Sequence, residues 1–133
     1  MTDLEQARDF FYKDTFASKQ TGIIIEDVKE HYAKCSLIIT ENHQNAYGGV
    51  MGGVIFTLAD FTFAISSNFK QPPAVSLNSQ INFIGMPKGK QLISESRLIK
   101  DGRSTCLYEI NIIDEKNTQI ALVTITGMKL NNK

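Results

Sequence analysis

Apolar and polar positions follow a helical spacing at the start of the chain. In residues 4–16, apolar side chains recur three or four positions apart, and charged side chains fall on the opposite side. This pattern predicts a short amphipathic helix, and Gly22 marks the point where it ends.

The spacing then changes to the two-residue period of strands. Two β-rich runs lie at residues 23–28 and 31–39, and only Lys29 and Glu30 separate them, which predicts a hairpin with a tight turn.

The second half of the chain predicts four further strands in hairpin succession, at residues 74–84, 90–100, 103–114 and 118–130. The Asp101-Gly102 dipeptide is typical of a two-residue hairpin turn, and residues 114–117 supply the next turn. One face of the third of these strands carries Cys106, Tyr108, Ile110 and Ile112.

Between the two groups of strands, residues 54–68 are apolar almost all the way around a helical circumference. A helix with one side in water does not show this pattern. We therefore expect a curved antiparallel sheet wrapped around a long central helix, an α+β fold with the short N-terminal helix added. Because no linker or repeat interrupts the pattern, residues 1–133 are predicted to form a single domain.

Composition excludes several classes of function. The chain has 133 residues, and its 14 basic residues balance its 14 acidic ones, so nothing in the charge favours a nucleic-acid partner. The N-terminus lacks the pattern of a secretory signal, which predicts a cytoplasmic protein. The most apolar stretch, residues 54–65, is too short to cross a membrane. Cys35 and Cys106 belong to no metal-binding cluster and are predicted to be buried thiols.

One acid, Asp60, stands inside the apolar helix, which offers it no basic partner. A buried carboxylate is costly unless it is paired, solvated in a cleft or protonated. Asp60 is therefore either a general base or nucleophile in a cleft, or a side chain that reaches solvent at an uncovered edge of the helix.

Gly52 and Gly53 begin the same helix. Backbone N–H groups at a helix N-terminus lack partners, and glycine lets a ligand oxygen approach them, so the pair suits an oxyanion. Asn45 lies seven residues before Gly52 and can donate a hydrogen bond to the same oxygen. Alternatively, these residues serve only the turns of an entry loop.

The segment 45–60 reads NAYGGVMGGVIFTLAD. It resembles the signature of the PaaI-type hot-dog thioesterases, in which N, G, HGG and LAD follow one another at similar spacing. The resemblance implies the hot-dog fold and hydrolysis of acyl-coenzyme A (acyl-CoA) thioesters without a metal or organic cofactor. It also assigns Asn45 and Gly52 as the groups that polarise the carbonyl, and Asp60 as the base or nucleophile. Ser76 matches a strand position where related enzymes carry a Ser or Thr that orients the carboxylate or water.

One position departs from the signature, because Met51 stands where the family has His. A thioether offers packing and only a very weak acceptor. We expect activity to survive, with a slower rate or a more apolar pocket. Met51 and Gly53 are further candidates for substrate contact. Lys88, Lys90 and Arg103 fall near predicted strand ends and are candidates for the CoA phosphates.

Helix geometry predicts an oligomer. Gly52 and Asp60 are eight residues apart on one helix, a separation of about 12 Å at the helical rise. Because both groups must lie within about 3 Å of the reacting atoms, Gly52 is expected to work with Asp60 of a second subunit. The family dimer has this arrangement, so we expect a homodimer or a dimer of dimers.

Other functions remain open at this point. Met51 leaves room for a protein of the same fold that binds or senses acyl-CoA without hydrolysing it. A hot-dog dehydratase is disfavoured, because His31 and His43 lie outside the helix that would present a catalytic histidine. A purely structural or protein-binding domain leaves Asp60 unexplained. The aromatic residues expected to form either an acyl pocket or core are Phe56, Phe61, Phe63 and Phe83.

Overall fold

The chain folds into an antiparallel sheet curved around one long helix, as seen in a computed structural model that describes residues 1–130. This confirms the predicted α+β hot-dog architecture. Residues 131–133, which the single-domain prediction includes, lie outside the described part. The helices are α1 (Asp3–Phe11) and α2 (Gly52–Asn68). The strands are β1 (Ile24–Lys29), β2 (Tyr32–Ile38), β3 (Ala74–Phe83), β4 (Gln91–Asp101), β5 (Thr105–Asp114) and β6 (Gln119–Lys129).

The strand order is β1-β2-β4-β5-β6-β3, which corrects the prediction of four strands in hairpin succession. Only β4, β5 and β6 follow one another as hairpins. The edge of β4 that a β3 hairpin would need is occupied by β2, with Ser36 opposite Ile93. Strand β3 therefore pairs with β6, with Ala74 opposite Lys129, and becomes an edge strand.

Two predicted turns are displaced along the chain. In the first hairpin Lys29 pairs with Tyr32, so the turn consists of Glu30 and His31, and His31 adopts a left-handed conformation with φ 59°. In the β4–β5 hairpin the Gly102 N–H donates to the Thr105 carbonyl at 2.8 Å, so the tip lies at residues 103–104 and not at Asp101-Gly102. Residues 114–117 form a turn as predicted, closed by a bond from the Asn117 N–H to the Asp114 carbonyl.

Helix α1 is shorter than the predicted 4–16. The helix ends in a tighter turn, in which the N–H groups of Lys13 and Asp14 donate to the carbonyls three residues earlier. A separate π-helical turn, Phe16–Gln20, follows. The helix covers the outer edge of β1. The Arg8 guanidinium donates to the Ile25 carbonyl at 2.7 Å, and the Tyr12 hydroxyl accepts from the Ile25 N–H. One edge of the sheet is thereby closed to further pairing.

Helix α2 packs on the inner face of the sheet through both apolar and hydroxyl side chains. The predicted inward face of β5 is buried, and Tyr108 is fully enclosed. The Tyr108 and Phe63 rings pack edge to face, with their centres 5.7 Å apart. Between the helix and β4, the Thr62 and Ser94 hydroxyls lie 2.5 Å apart, and Ser66 donates to Ser96. Cys35 and Cys106 are buried free thiols, as predicted, and burial raises the pKa of Cys35 to about 12.

One stripe of α2 is not covered by the sheet. Thr57, Asp60 and Ala64, three or four residues apart, are only half-buried, and Gly53 is exposed. The helix is therefore less completely surrounded than its apolar circumference predicts. In residues 1–130, no helix has the length and apolar character needed to cross a membrane.

The loop of residues 84–90, between β3 and β4, is held by two carboxylates at the end of β5. Asp114 accepts from the N–H groups of Lys88 and Gly89, and Glu115 accepts from the N–H groups of Lys90 and Gln91. A Cβ on Gly89 would lie 2.1 Å from a Glu115 oxygen, so a larger residue here would displace the Glu115 carboxylate. Burial alone would raise the pKa of Asp114, but N–H donors from Thr118, Lys88 and Gly89 outweigh it and hold that pKa far below its usual value.

We predict that Asp114→Asn lowers the melting temperature at neutral pH. The melting temperature of the variant should also fall less than that of wild type as the pH is lowered. The Asp114 pKa is lowered on folding from 3.8, so its contribution is present above that value and lost as pH falls through the folded pKa. Thermal melts of the two proteins should converge as the pH is lowered. The control is Asp9→Asn, which changes an exposed carboxylate of α1. A constant difference between Asp114→Asn and wild type at every pH would contradict the prediction.

Candidate active site

The N-terminus of α2 presents two free backbone donors. Met51 is the N-cap residue, and its carbonyl accepts from the N–H groups of Val54 and Ile55. Within residues 1–130, the N–H groups of Gly52 and Gly53 have no hydrogen-bond partner. A Cβ on Gly53 would meet nothing within 4 Å, which leaves open space beside these donors. The arrangement suits a carbonyl oxygen that gains negative charge.

Asn45 is held so that its amide nitrogen remains available. Its side-chain oxygen accepts from the N–H groups of Tyr47 and Gly49 at 2.9 and 3.1 Å, and its backbone N–H donates to the Gly49 carbonyl. Those bonds fix the side chain in a tight turn and occupy the oxygen, while the NH₂ group has no acceptor in residues 1–130. Asn45 is therefore a turn former, and its role as a donor to a substrate oxygen stays a prediction with which the arrangement is compatible.

His43 anchors this loop, a role that the sequence reasoning missed. Its ring is buried, with Nε2 donating to the Thr21 carbonyl at 2.7 Å and Nδ1 accepting from the Thr40 N–H at 2.9 Å. The Met51 N–H donates to the His43 carbonyl at 2.8 Å, which ties the start of α2 to the same residue. The Met51 side chain itself is 56% exposed and makes no polar contact.

Gly52 and Asn45 line one cavity of about 310 Å³. The loop of residues 84–90 closes its far side with Met86 and Pro87, and Phe83 lies against Gly52. A Cβ on Gly52 would lie 3.1 Å from the Phe83 ring, so a larger residue here would push the ring away by a few tenths of an ångström. The cavity thus joins the Gly52 backbone donor and the Asn45 amide donor to an apolar wall.

Asp60 lines a different cavity, of about 410 Å³. Helix α2 contributes Thr57, Asp60, Phe61 and Ala64, and the segment of residues 14–17 forms the opposite wall. Burial and, secondarily, the nearby Asp14 carboxylate raise the pKa of Asp60 above 3.8. The Asp60 carboxylate forms no ion pair within residues 1–130.

The two cavities are separate, so one chain does not bring Gly52 and Asp60 together. Ser76 lies exposed on β3, opposite Gly127, and lines neither cavity. Of the four aromatic candidates, Phe83 lines the Gly52 cavity. Phe61 and Phe63 both belong to the core, and Phe61 also lines the Asp60 cavity. Phe56 is half-buried and lines neither cavity.

The three basic candidates do not form one cluster in a single chain. Lys88 and Lys90 are exposed in the loop that also supplies Pro87 to the Gly52 cavity. Arg103 lies at the opposite end of β5, about 30 Å away at the rise of a ten-residue strand. Within one chain, only the two lysines lie near the candidate donors.

Comparison with known proteins defines the class. A family model described as the thioesterase superfamily matches residues 47–121, which include Gly52, Asp60 and most of the sheet. The chain therefore belongs to the thioesterase superfamily and is a thioester hydrolase by class.

Particular relatives agree with this assignment. The chain is 30% identical to a putative esterase of Archaeoglobus fulgidus, over 96% of this chain and 84% of the relative. It is 28% identical to the acyl-coenzyme A thioesterase PaaI of Escherichia coli, over 84% of this chain and 80% of the relative. The solved structure of the E. coli PaaI protein superimposes with a TM-score of 0.89 at 23% identity, covering 98% and 96% of the two chains. The chain is thus a PaaI-type member with the hot-dog fold.

We predict that Gly52→Ala displaces the Phe83 ring and reduces thioester hydrolysis. The added methyl group would lie 3.1 Å from the ring, which is too close for the ring to stay in place. Neither Gly52 nor Gly53 has a positive φ, so alanine fits the backbone at both positions. NMR of the Phe83 ring protons should show a shift in Gly52→Ala and none in Gly53→Ala, whose methyl group meets open space. Equal shifts in the two variants would refute the proposed contact.

Proposed function

We propose that this protein hydrolyses acyl-CoA thioesters, acyl or arylacetyl, to the free acid and CoA, at two sites that each combine Gly52 and Asn45 of one subunit with Asp60 of the other. The observation that supports this most directly is the division of donors and carboxylate between two cavities of one chain. A cytoplasmic location, predicted from the sequence, is part of the same proposal.

The donors suit the first requirement of the reaction. When a nucleophile adds to a thioester carbonyl, negative charge develops on the oxygen. Within residues 1–130, the Gly52 N–H and the Asn45 NH₂ group have no partner, and both residues line the same cavity. The bonds to the Asn45 side-chain oxygen hold the amide in place before substrate arrives. Preorganised donors of this kind stabilise the developing charge without reorganisation.

Asp60 suits the second requirement. A carboxylate in a half-buried cavity without a cationic partner has a raised pKa and is more basic than one in water. It either removes a proton from the attacking water or attacks the carbonyl itself, and CoA leaves as the thiol in both routes. Ser76 is assigned to orient the Asp60 carboxylate or the attacking water from across the subunit interface.

The open edge of the sheet supports the dimer. Helix α1 closes the β1 edge, whereas β3 is paired on one side only and exposes Val75, Leu77 and Phe83. Two β3 edges meeting across a two-fold axis would join the sheets and bring the uncovered stripes of the two α2 helices side by side. That arrangement brings Asp60 of one chain towards Gly52 of the other.

The CoA end is assigned to Lys88 and Lys90, beside the Gly52 cavity, with Gly53 and Met51 at its entrance. Arg103 contributes only if the second subunit brings it near. A protein that binds acyl-CoA without turnover is the alternative outcome of the assay below.

The first test is Asp60→Asn, which keeps the shape of the side chain. We expect hydrolysis of acyl-CoA, followed by release of free thiol, to fall by at least about 10²-fold. The pKa of Asp60 is raised on folding, so its ionised form opposes folding at neutral pH, and Asn should leave the melting temperature unchanged or higher. Wild-type binding of acyl-CoA without turnover would instead indicate the non-hydrolytic alternative.

The second test separates a shared site from a single-chain site. Asn45→Ala and Asp60→Asn chains carrying different tags are co-expressed, and the mixed dimer is purified through both tags. One of its two sites then contains neither substitution, so activity should return to about half of wild type. Homodimers of each variant are the controls. A mixed dimer as inactive as both parents would mean that each site is built from one chain.

A further inference from the structure

The cavity beside Asp60 contains two negative charges and no positive one in the described chain. Asp14 and Asp60 are the charged residues that line it, from opposite walls. The Asp14 side chain is exposed and has no hydrogen bond or ion pair within residues 1–130. Its charge is therefore not neutralised by a neighbour.

The cations nearest in sequence point elsewhere. The Lys13 Nζ lies 5.1 Å from the centre of the Phe10 ring, and Lys19 lines a separate cavity with Ile23 and Ile24. Helix α2 itself contains no charged residue other than Asp60. Within residues 1–130, the two carboxylates are therefore the charged side chains that line the cavity.

The remaining lining is neutral and suited to an acyl chain. Phe16, Phe61 and Ala64 supply apolar surface, and the hydroxyls of Thr15 and Thr57 supply the neutral polar groups. A thioester whose carbonyl carbon lies at Asp60 can place its acyl group against this surface.

We infer that Asp14 determines which acyl groups enter: the cavity accepts neutral or cationic acyl groups and rejects acyl groups that end in a carboxylate. The inference rests on the proposed thioesterase function. A terminal carboxylate would approach two like charges in a partly desolvated cavity, where repulsion is stronger than in water. The influence of Asp14 on the ionisation of Asp60 is consistent with this charge acting across the cavity.

The test compares hexanoyl-CoA with adipoyl-CoA, in which a carboxylate replaces the terminal methyl group. Wild type should prefer hexanoyl-CoA in kcat/KM by at least about tenfold. Asp14→Asn should reduce that preference, and Asp14→Lys should reduce it further or reverse it. Asp9→Lys is the matched control, because it makes the same change of net charge on an exposed position of α1 that does not line the cavity. A preference that is the same in Asp14→Lys and wild type would overturn the inference.

Calorimetric binding of both thioesters to Asp60→Asn, with and without Asp14→Lys, measures the same selectivity without turnover. If wild type hydrolyses no thioester but binding still depends on Asp14 as described, the proposed function fails and the charge selectivity stands. If the two thioesters bind equally in both backgrounds, or neither binds, the charge selectivity fails, whatever the wild-type enzyme hydrolyses.

Discussion

The positions of Asp60 and of the Gly52 and Gly53 N–H groups follow from the packing of α2 against the inner face of the sheet. Burial of side chains such as Leu58 and Ile65, together with the hydroxyl contacts to β4, fixes how the helix is rotated. That rotation leaves Thr57, Asp60 and Ala64 on the side that the sheet does not cover. It also leaves the free N–H groups of the first turn next to the loop of Asn45. A rotation of the helix about its axis would bury the carboxylate without a partner, at a cost of several kcal/mol.

The two edges of the sheet differ in how they end. At β1, the side chains of Arg8 in α1 and of Tyr12 just after it occupy both backbone polar groups of Ile25, which a further strand would need. At β3, no described element lies beyond the strand, and apolar side chains project from it. Edge strands of this kind are sites of association unless they are protected. The same edge carries Phe83 into the Gly52 cavity, so assembly and the shape of the site depend on one strand.

The sequence predicted local elements well because periodicity is a local property. The inward face of β5 and the lone acid of α2 could both be recognised from spacing within one element. The place of β3 could not, because it depends on β2 having already occupied the edge of β4. Asp14 was missed for the same reason, since it faces Asp60 from a segment far away in the chain. Other features did have a signal: Thr2 and Glu5 form a capping box, and the alternation of Leu92, Ser94 and Ser96 places hydroxyls on the inner face of β4.

Met51, which stands where the resembling signature has His, does not itself hold the start of α2. Here the start of α2 is tied by the backbone bond from Met51 to His43, and the His43 ring is itself held at both nitrogens. The position of the Gly52 N–H therefore depends on backbone geometry and on a histidine eight residues earlier, not on the side chain at position 51. Because the Met51 thioether points largely into solvent, it is free to contact a ligand without disturbing the donors. A chain with this anchoring can change residue 51 and still present the two glycine N–H groups and the Asn45 amide.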